Sequence, residues 1–160
     1  MAPTAENPNW LRAWSYVIVQ AVLLVLIVFL HQSVGPHIHH FVVLGWICEW
    51  LGILGILISA ASLRRSLTVV PIPKADGKLS TTGLYRYVRH PMYTSVLLFA
   101  LGIALKSGNG IKYLLVIALY LLFFTKSTYE ETHLRKKYPE YAEYSAQIPR
   151  FVPFTKKFTL

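Results

Sequence analysis

The chain has 160 residues, 54% of them apolar and only 14% charged, with a formal net charge of +9. That length suits one domain, and the composition is too apolar for an ordinary soluble one, so it points to a membrane protein. Six of the sixteen Lys and Arg fall in 62–92 and seven from Lys126 onward, the loop bias of a multi-pass protein and not the one-faced footprint of a nucleic-acid binder.

In chain order, four apolar segments stand out: Trp14 to Leu30, Phe41 to Ala61, Met92 to Leu105 and Ile111 to Thr125. The second has the ~20 residues a spanning helix needs; the others must borrow flanking residues or run into the interface. The first lacks a small-residue cleavage site and carries only Arg12 as a charged flank, so a retained helix is expected, not a signal peptide. The loop 31–40 has no Lys or Arg. Its His37, His39 and His40 are joined by no carboxylate or cysteine, which favours a polar loop over a metal site. The lone Cys48 excludes an intramolecular disulfide and reads as a buried thiol.

Glu49 lies between Trp46 and Trp50 within the second segment. It is either functional, as ionisable groups inside a span tend to be, or a neutral hydrogen-bonded carboxyl near the outer interface. Residues 62–92 contain Pro71, Pro73, Gly77 and Gly83, and read as a long loop. Lys106-Ser-Gly-Asn-Gly110 is a tight turn that folds the third and fourth segments into an antiparallel hairpin. The polar run Lys126-Ser-Thr-Tyr-Glu-Glu-Thr continues the fourth helix, and a short helix begins near Pro139. The charge pattern places both termini and the 62–92 loop in the cytoplasm, with Lys106 and Lys112 running against it. The expected fold is all-α, with about four transmembrane helices and a helical tail. A single domain spans 1–160: two N-terminal membrane helices in 1–61 and the working half in 62–160.

The chemistry gathers in Gly83-Leu-Tyr-Arg-Tyr-Val-Arg-His-Pro-Met-Tyr93. A juxtamembrane basic-aromatic belt would share this composition. The order of residues adds something else: two rings, an imidazole and a proline at a first helical position, where free N–H groups beside Arg89 and His90 make an anion-binding corner. Lys126 with Glu130, and Glu131 with Arg135, are i,i+4 pairs. A solvated salt-bridge face explains Glu131, whereas Glu130 can face the 83–93 loop and hold a diol or a cation. Tyr138, Tyr141 and Tyr144 read as an interfacial packing stripe on a tail that lids the loop. Glycine-rich dinucleotide fingerprints, phosphate loops and a nucleophile elbow are absent from the sequence.

These motifs, with Glu130-Glu131-x-x-Leu134 and Tyr138-Pro-Glu-Tyr141-x-x-Tyr144-x-x-x-Ile-Pro-Arg150, resemble the isoprenylcysteine carboxyl methyltransferase superfamily, which includes the phospholipid N-methyltransferases. The resemblance covers about residues 77–154. It implies an integral membrane enzyme that uses S-adenosylmethionine to methylate a lipophilic or lipidated acceptor from the bilayer. Cofactor contacts carry over to Leu79, Tyr85, His90, Pro91, Met92, Tyr93 and Glu130. Arg89, Glu130 and Lys126 carry the catalytic roles, with Lys126, Arg89 and Glu49 toward the acceptor. Where carboxyl-methylating members have an arginine, this chain has Lys126, which keeps the charge and loses the bidentate fork. The methionyl carboxylate would suit the N-terminus of the third helix, and the adenine Tyr85 or Tyr93. The alternatives are a phospholipid or amine N-methyltransferase, an NADPH-dependent enzyme like the sterol reductases, and a non-catalytic lipid-binding protein. No metal and no nucleic acid is expected. The acceptor and the oligomeric state are left open.

Overall fold

The computed structural model describes residues 8–31, 35–37, 41–63, 68, 70–72 and 77–153. Among these it is all-helical: α1 (Pro8–Phe29), α2 (Val42–Leu63), a 3-10 turn (Gly83–Arg86), α3 (Pro91–Ser107), α4 (Gly110–Lys137) and α5 (Tyr141–Gln147). The four apolar segments of the sequence become α1 to α4 in order. His39, His40, Arg64, Arg65 and Pro73 lie outside the described residues.

Helices α1, α2 and α4 are long and apolar enough to cross a bilayer, and α3, with 17 residues, is shorter. Their polarity is inverted relative to a soluble bundle. On α1, Leu11, Ile18, Val22, Val25 and Phe29 recur at helical spacing and are exposed, whereas Ala13 and Ile27 on the other face are fully buried. Exposed aliphatic stripes of this kind are at home in hydrocarbon. The 28 residues of α4 extend about 42 Å at 1.5 Å per residue, against a hydrocarbon core of about 30 Å. The helix therefore runs on as one rod past the span and carries Glu130 and Glu131 with it.

The turn between α3 and α4 forms as the sequence indicates. Gly108 closes α3 in the left-handed conformation, and the Asn109 side chain caps α4 by accepting from the N–H groups of Ile111 and Lys112, which satisfies two orphan donors. Yet α3 packs most extensively on α2 and not on its hairpin partner. The reason is a seam of small residues on α2: Gly45, Gly52 and Ser59, seven apart, are all buried. A Cβ on Gly102 would lie 2.6 Å from the Gly45 carbonyl oxygen, and one on Gly45 would lie 2.8 Å from that of Gly102. Backbones approach this closely only where side chains are missing.

A second core, formed by Ile27, Ala100, Leu119, Phe123 and Phe151, joins α1, α3, α4 and the tail. It sits directly behind the N-terminus of α3.

Candidate functional site

Pro91 occupies the first turn of α3 with His90 as the cap residue, whose side chain makes no capping hydrogen bond. This is the arrangement the sequence suggested. Ahead of it the chain turns sharply at Gly83, with φ +61, where a Cβ would lie 2.8 Å from Ser62 Oγ. Only glycine meets both demands without strain. The turn packs against α2, and the loop, the end of α2, the start of α3, the far end of α4 and α5 converge.

Between them lies a cavity of about 810 Å³ counted out to its open mouth. Leu79, Tyr85, Arg89, His90, Met92, Tyr93 and Glu130 line it, together with Leu63, Thr68, Tyr138, Tyr141 and Tyr144. Six of the seven residues assigned to a cofactor from the sequence therefore share one cavity. The seventh, Pro91, is buried and shapes the helix start without lining the cavity.

Two adjacent glutamates have opposite surroundings because successive helical residues point about 100° apart. Glu130 faces the cavity, accepts from the Tyr93 hydroxyl at 2.8 Å and lies 3.7 Å from His90 Nδ1. Glu131 faces the tail and is nearly inaccessible, at 4%. His90 Nε2 lies 3.0 Å from it, Arg89 Nη2 3.2 Å, and Arg150 reaches it through Nε and Nη2 at 3.2 and 3.1 Å. The solvated Glu131–Arg135 pair read from the sequence is thus replaced by a buried hub, while Arg135 turns to Ser145 Oγ at 3.4 Å. The His90 ring is held between the two carboxylates and lies parallel to Tyr93, with centroids 5.4 Å apart; Tyr93 stacks in turn on Phe123 at 4.7 Å. The imidazole therefore has little rotational freedom.

The tail closes one side of the site. Arg89 N–H and His90 N–H donate to the carbonyls of Pro149 and Arg150. Tyr138 and Tyr144 donate to the carbonyls of Gly77 and Tyr85, each at 2.6 Å. The tyrosine stripe thus packs the tail onto the loop and lines the cavity as well. Burial, aided by Glu130 and Tyr144, raises the Tyr85 phenol, and burial pushes Tyr144 up to about 12, so both remain neutral at ordinary pH.

Lys126 does not line the cavity. Its Nζ donates to Gln20 of α1 at 2.6 Å and lies 5.2 Å from the Tyr93 ring centre, in a buried position behind that ring. Glu49 is farther away. It forms a salt bridge with Lys106 at 2.8 Å, and Lys106 Nζ also lies 3.5 Å over the Trp46 ring. Lys106 is 15 residues beyond Pro91 on α3, about 22 Å along the axis. Glu49 is thus placed away from the cavity, with Lys106 as its partner. His37 lies in the other connection, bridged to Asn109, and no cluster of metal ligands occurs among the described residues. Sequence reasoning missed Tyr141, Arg150 and Gln20 as residues of the site and its surroundings. Tyr141 and Arg150 stand in the tail motif, which gives them no role at the site, and nothing in the sequence points to Gln20.

Residues 40–141 match the family described as phospholipid methyltransferase. The chain belongs to the phospholipid methyltransferase family. Among the curated relatives of this family member, the cobalt-zinc-cadmium resistance protein CzcN of Cupriavidus metallidurans is 32% identical over 68% of this chain and 51% of its own length. A probable protein-S-isoprenylcysteine O-methyltransferase of Oryza sativa subsp. indica is 31% identical over 68% of this chain and 63% of its own. The protein-S-isoprenylcysteine O-methyltransferase of Schizosaccharomyces pombe is 35% identical over 49% of this chain and 34% of its own. The chain thus spans between a third and two thirds of the length of these relatives. A methyltransferase family implies a methyl donor.

Proposed function

We propose that this protein is an integral membrane methyltransferase that uses S-adenosylmethionine to methylate a lipophilic acceptor drawn from the bilayer. One observation carries the reading: Leu79, Tyr85, His90, Met92, Tyr93 and Glu130, spread over fifty residues of sequence, line one cavity of about 810 Å³ at the end of apolar, span-length helices. When bound there, S-adenosylmethionine would supply a methyl group activated by a sulfonium. The chain's own task is then to position donor and acceptor and to exclude water. Tyr85 offers its ring to a base, whereas the Tyr93 ring is already stacked on His90 and Phe123. Glu130 offers an acceptor to a ribose hydroxyl or a cation. The tail tyrosines keep solvent from the reacting atoms.

The acceptor would approach laterally between helices, since the cavity adjoins span-length helices with aliphatic outer faces. A carboxylate acceptor would draw on Lys126, which lies behind Tyr93 and is held by Gln20. Residues 62–160 would form the working half and α1 and α2 the membrane scaffold. The division is not strict, since Leu63 and Gln20 belong to the first two helices. The cavity would face the cytoplasm, in keeping with the Lys and Arg of 62–92 and of the tail.

The test is labelled methyl transfer from S-adenosylmethionine in membranes containing the protein, with lipophilic carboxylic acids, amines and thiols offered in parallel. The expected outcome is transfer to one class and its loss in His90→Ala. Transfer to none of them, or activity unchanged by that substitution, would count against the reading.

A further inference from the structure

Beyond α5 the chain turns back toward the bilayer, and its contacts descend α4 in order. Arg150 reaches Glu131, then Thr128 Oγ1 at 2.9 Å, and its guanidinium lies 4.9 Å over the Phe124 ring. The Phe151 ring meets that of Tyr120 edge-on, with centroids 5.9 Å apart. Measured from Gly110, where α4 begins, a hydrocarbon core of about 30 Å takes up about 20 residues at about 1.5 Å each and ends near Glu130. Arg150 therefore sits at that boundary. Phe151 lies on its membrane side, with Val152 next in the chain.

The two apolar residues face opposite ways. Phe151 is wedged into the core it forms with Ile27, Ala100, Leu119 and Phe123. Val152 is 60% exposed, beyond a ring that lies at the depth of the exposed Tyr120, Leu121 and Phe124 of α4. Such a surface belongs in acyl chains and not in water. Arg150 suits the boundary itself, with an apolar stem and an aromatic ring beneath its charged head. The same segment also grips the site. The carbonyls of Pro149, Arg150 and Phe151 accept in turn from Arg89 N–H, His90 N–H and the Thr94 hydroxyl, at 2.9, 3.1 and 2.9 Å.

We propose that residues 149–152 form a strap embedded in the leaflet on the cavity side, a lipid-binding surface through which the bilayer keeps Arg89 and His90 in place. Phe151 and Val152 are positioning residues on this account, since neither lines the cavity. The insertion is independent of the chemistry proposed above, and its effect on cofactor binding rests on that chemistry.

Depth is the first measurement. A nitroxide on Val152→Cys, in a Cys48→Ala background of the full chain in phosphatidylcholine vesicles, should relax with oxygen and be shielded from a water-soluble nickel chelate. It should match a label on Ile117→Cys, at an exposed apolar position of α4, and differ from one on Lys136→Cys, beyond the span. Access to the chelate equal to that at Lys136 overturns the strap. Coupling is the second. An ionised carboxylate is costly in hydrocarbon, so Val152→Asp should lift the segment and weaken S-adenosylhomocysteine several-fold in the same vesicles. Val152→Leu should bind as the wild type does. Equal binding by all three overturns the hold on Arg89 and His90. A wild type that binds no S-adenosylhomocysteine overturns the function proposed above, and the label alone then decides the strap. Should Val152→Asp fail to fold, Val152→Ser, expected to act in the same direction, decides the coupling.

Discussion

Glu130 and Glu131 are neighbours in sequence and opposites in role. Glu131 pairs with two guanidiniums and orients His90 in a buried setting, and removing one partner of a buried ion pair commonly costs about 3–5 kcal/mol. Glu131→Gln should therefore lower the melting temperature sharply. Glu130→Gln should shift stability by no more than about 1 kcal/mol while weakening cofactor binding about tenfold or more. Melting curves and binding isotherms on both variants check the contrast, and a reversed pattern would reassign the two carboxylates. The sequence suggested the role of Glu130 because a hairpin of the third and fourth segments turns it toward the 83–93 loop. It hid that of Glu131, since a buried four-group network and a solvated i,i+4 pair look alike until the tail is placed. Arg150 lies 19 positions downstream of Glu131, and nothing local to either residue announces their contact. Gln20 and Lys126, 106 positions apart, are harder still to pair.

Among the elements, α2 and α3 are held by shape more than by chemistry. The Gly45–Gly102 crossing leaves no space for a side chain, so Gly102→Val must push the helices apart, an overpacking of about 1–3 kcal/mol or more. The expected result is a lower melting temperature and weaker cofactor binding, because α2 ends at Leu63 on the cavity wall. A search for a GxxxG motif overlooks this seam, whose small residues recur at seven. The tail is held by hydrogen bonds from phenols. Tyr144 has a folded pKa of about 12 against about 10 when unfolded. Its contribution is complete below pH 10 and is lost as pH rises through 10 to 12, where the unfolded chain ionises first. Thermal melts across pH 9 to 12 should fall less steeply in Tyr144→Phe than in the wild type. Equal slopes would place the alkaline transition elsewhere.

For the molecule as a whole, hydropathy and turn chemistry were enough to read four apolar helices, the α3–α4 turn and the short tail helix. The convergence of 83–93 with Glu130 was legible because motif spacing and the hairpin agree. What hydropathy could not convey is that α3 pairs chiefly with α2, or that Glu49 and Lys106 complete an ion pair at the end of the bundle remote from the cavity; both depend on helix rotation, which apolar segments scarcely encode. The resulting architecture separates labours: a lipid-facing scaffold, a small-residue seam, and a polar cavity where α3 begins and α4 overshoots the bilayer. Its central claim is that this cavity holds S-adenosylmethionine. Calorimetry of the purified chain with S-adenosylhomocysteine, with NADPH as the competing cofactor class, tests that most directly. The expected result is saturable binding of S-adenosylhomocysteine that weakens in His90→Ala and Glu130→Gln, with no binding of NADPH. Binding of NADPH without S-adenosylhomocysteine would contradict it.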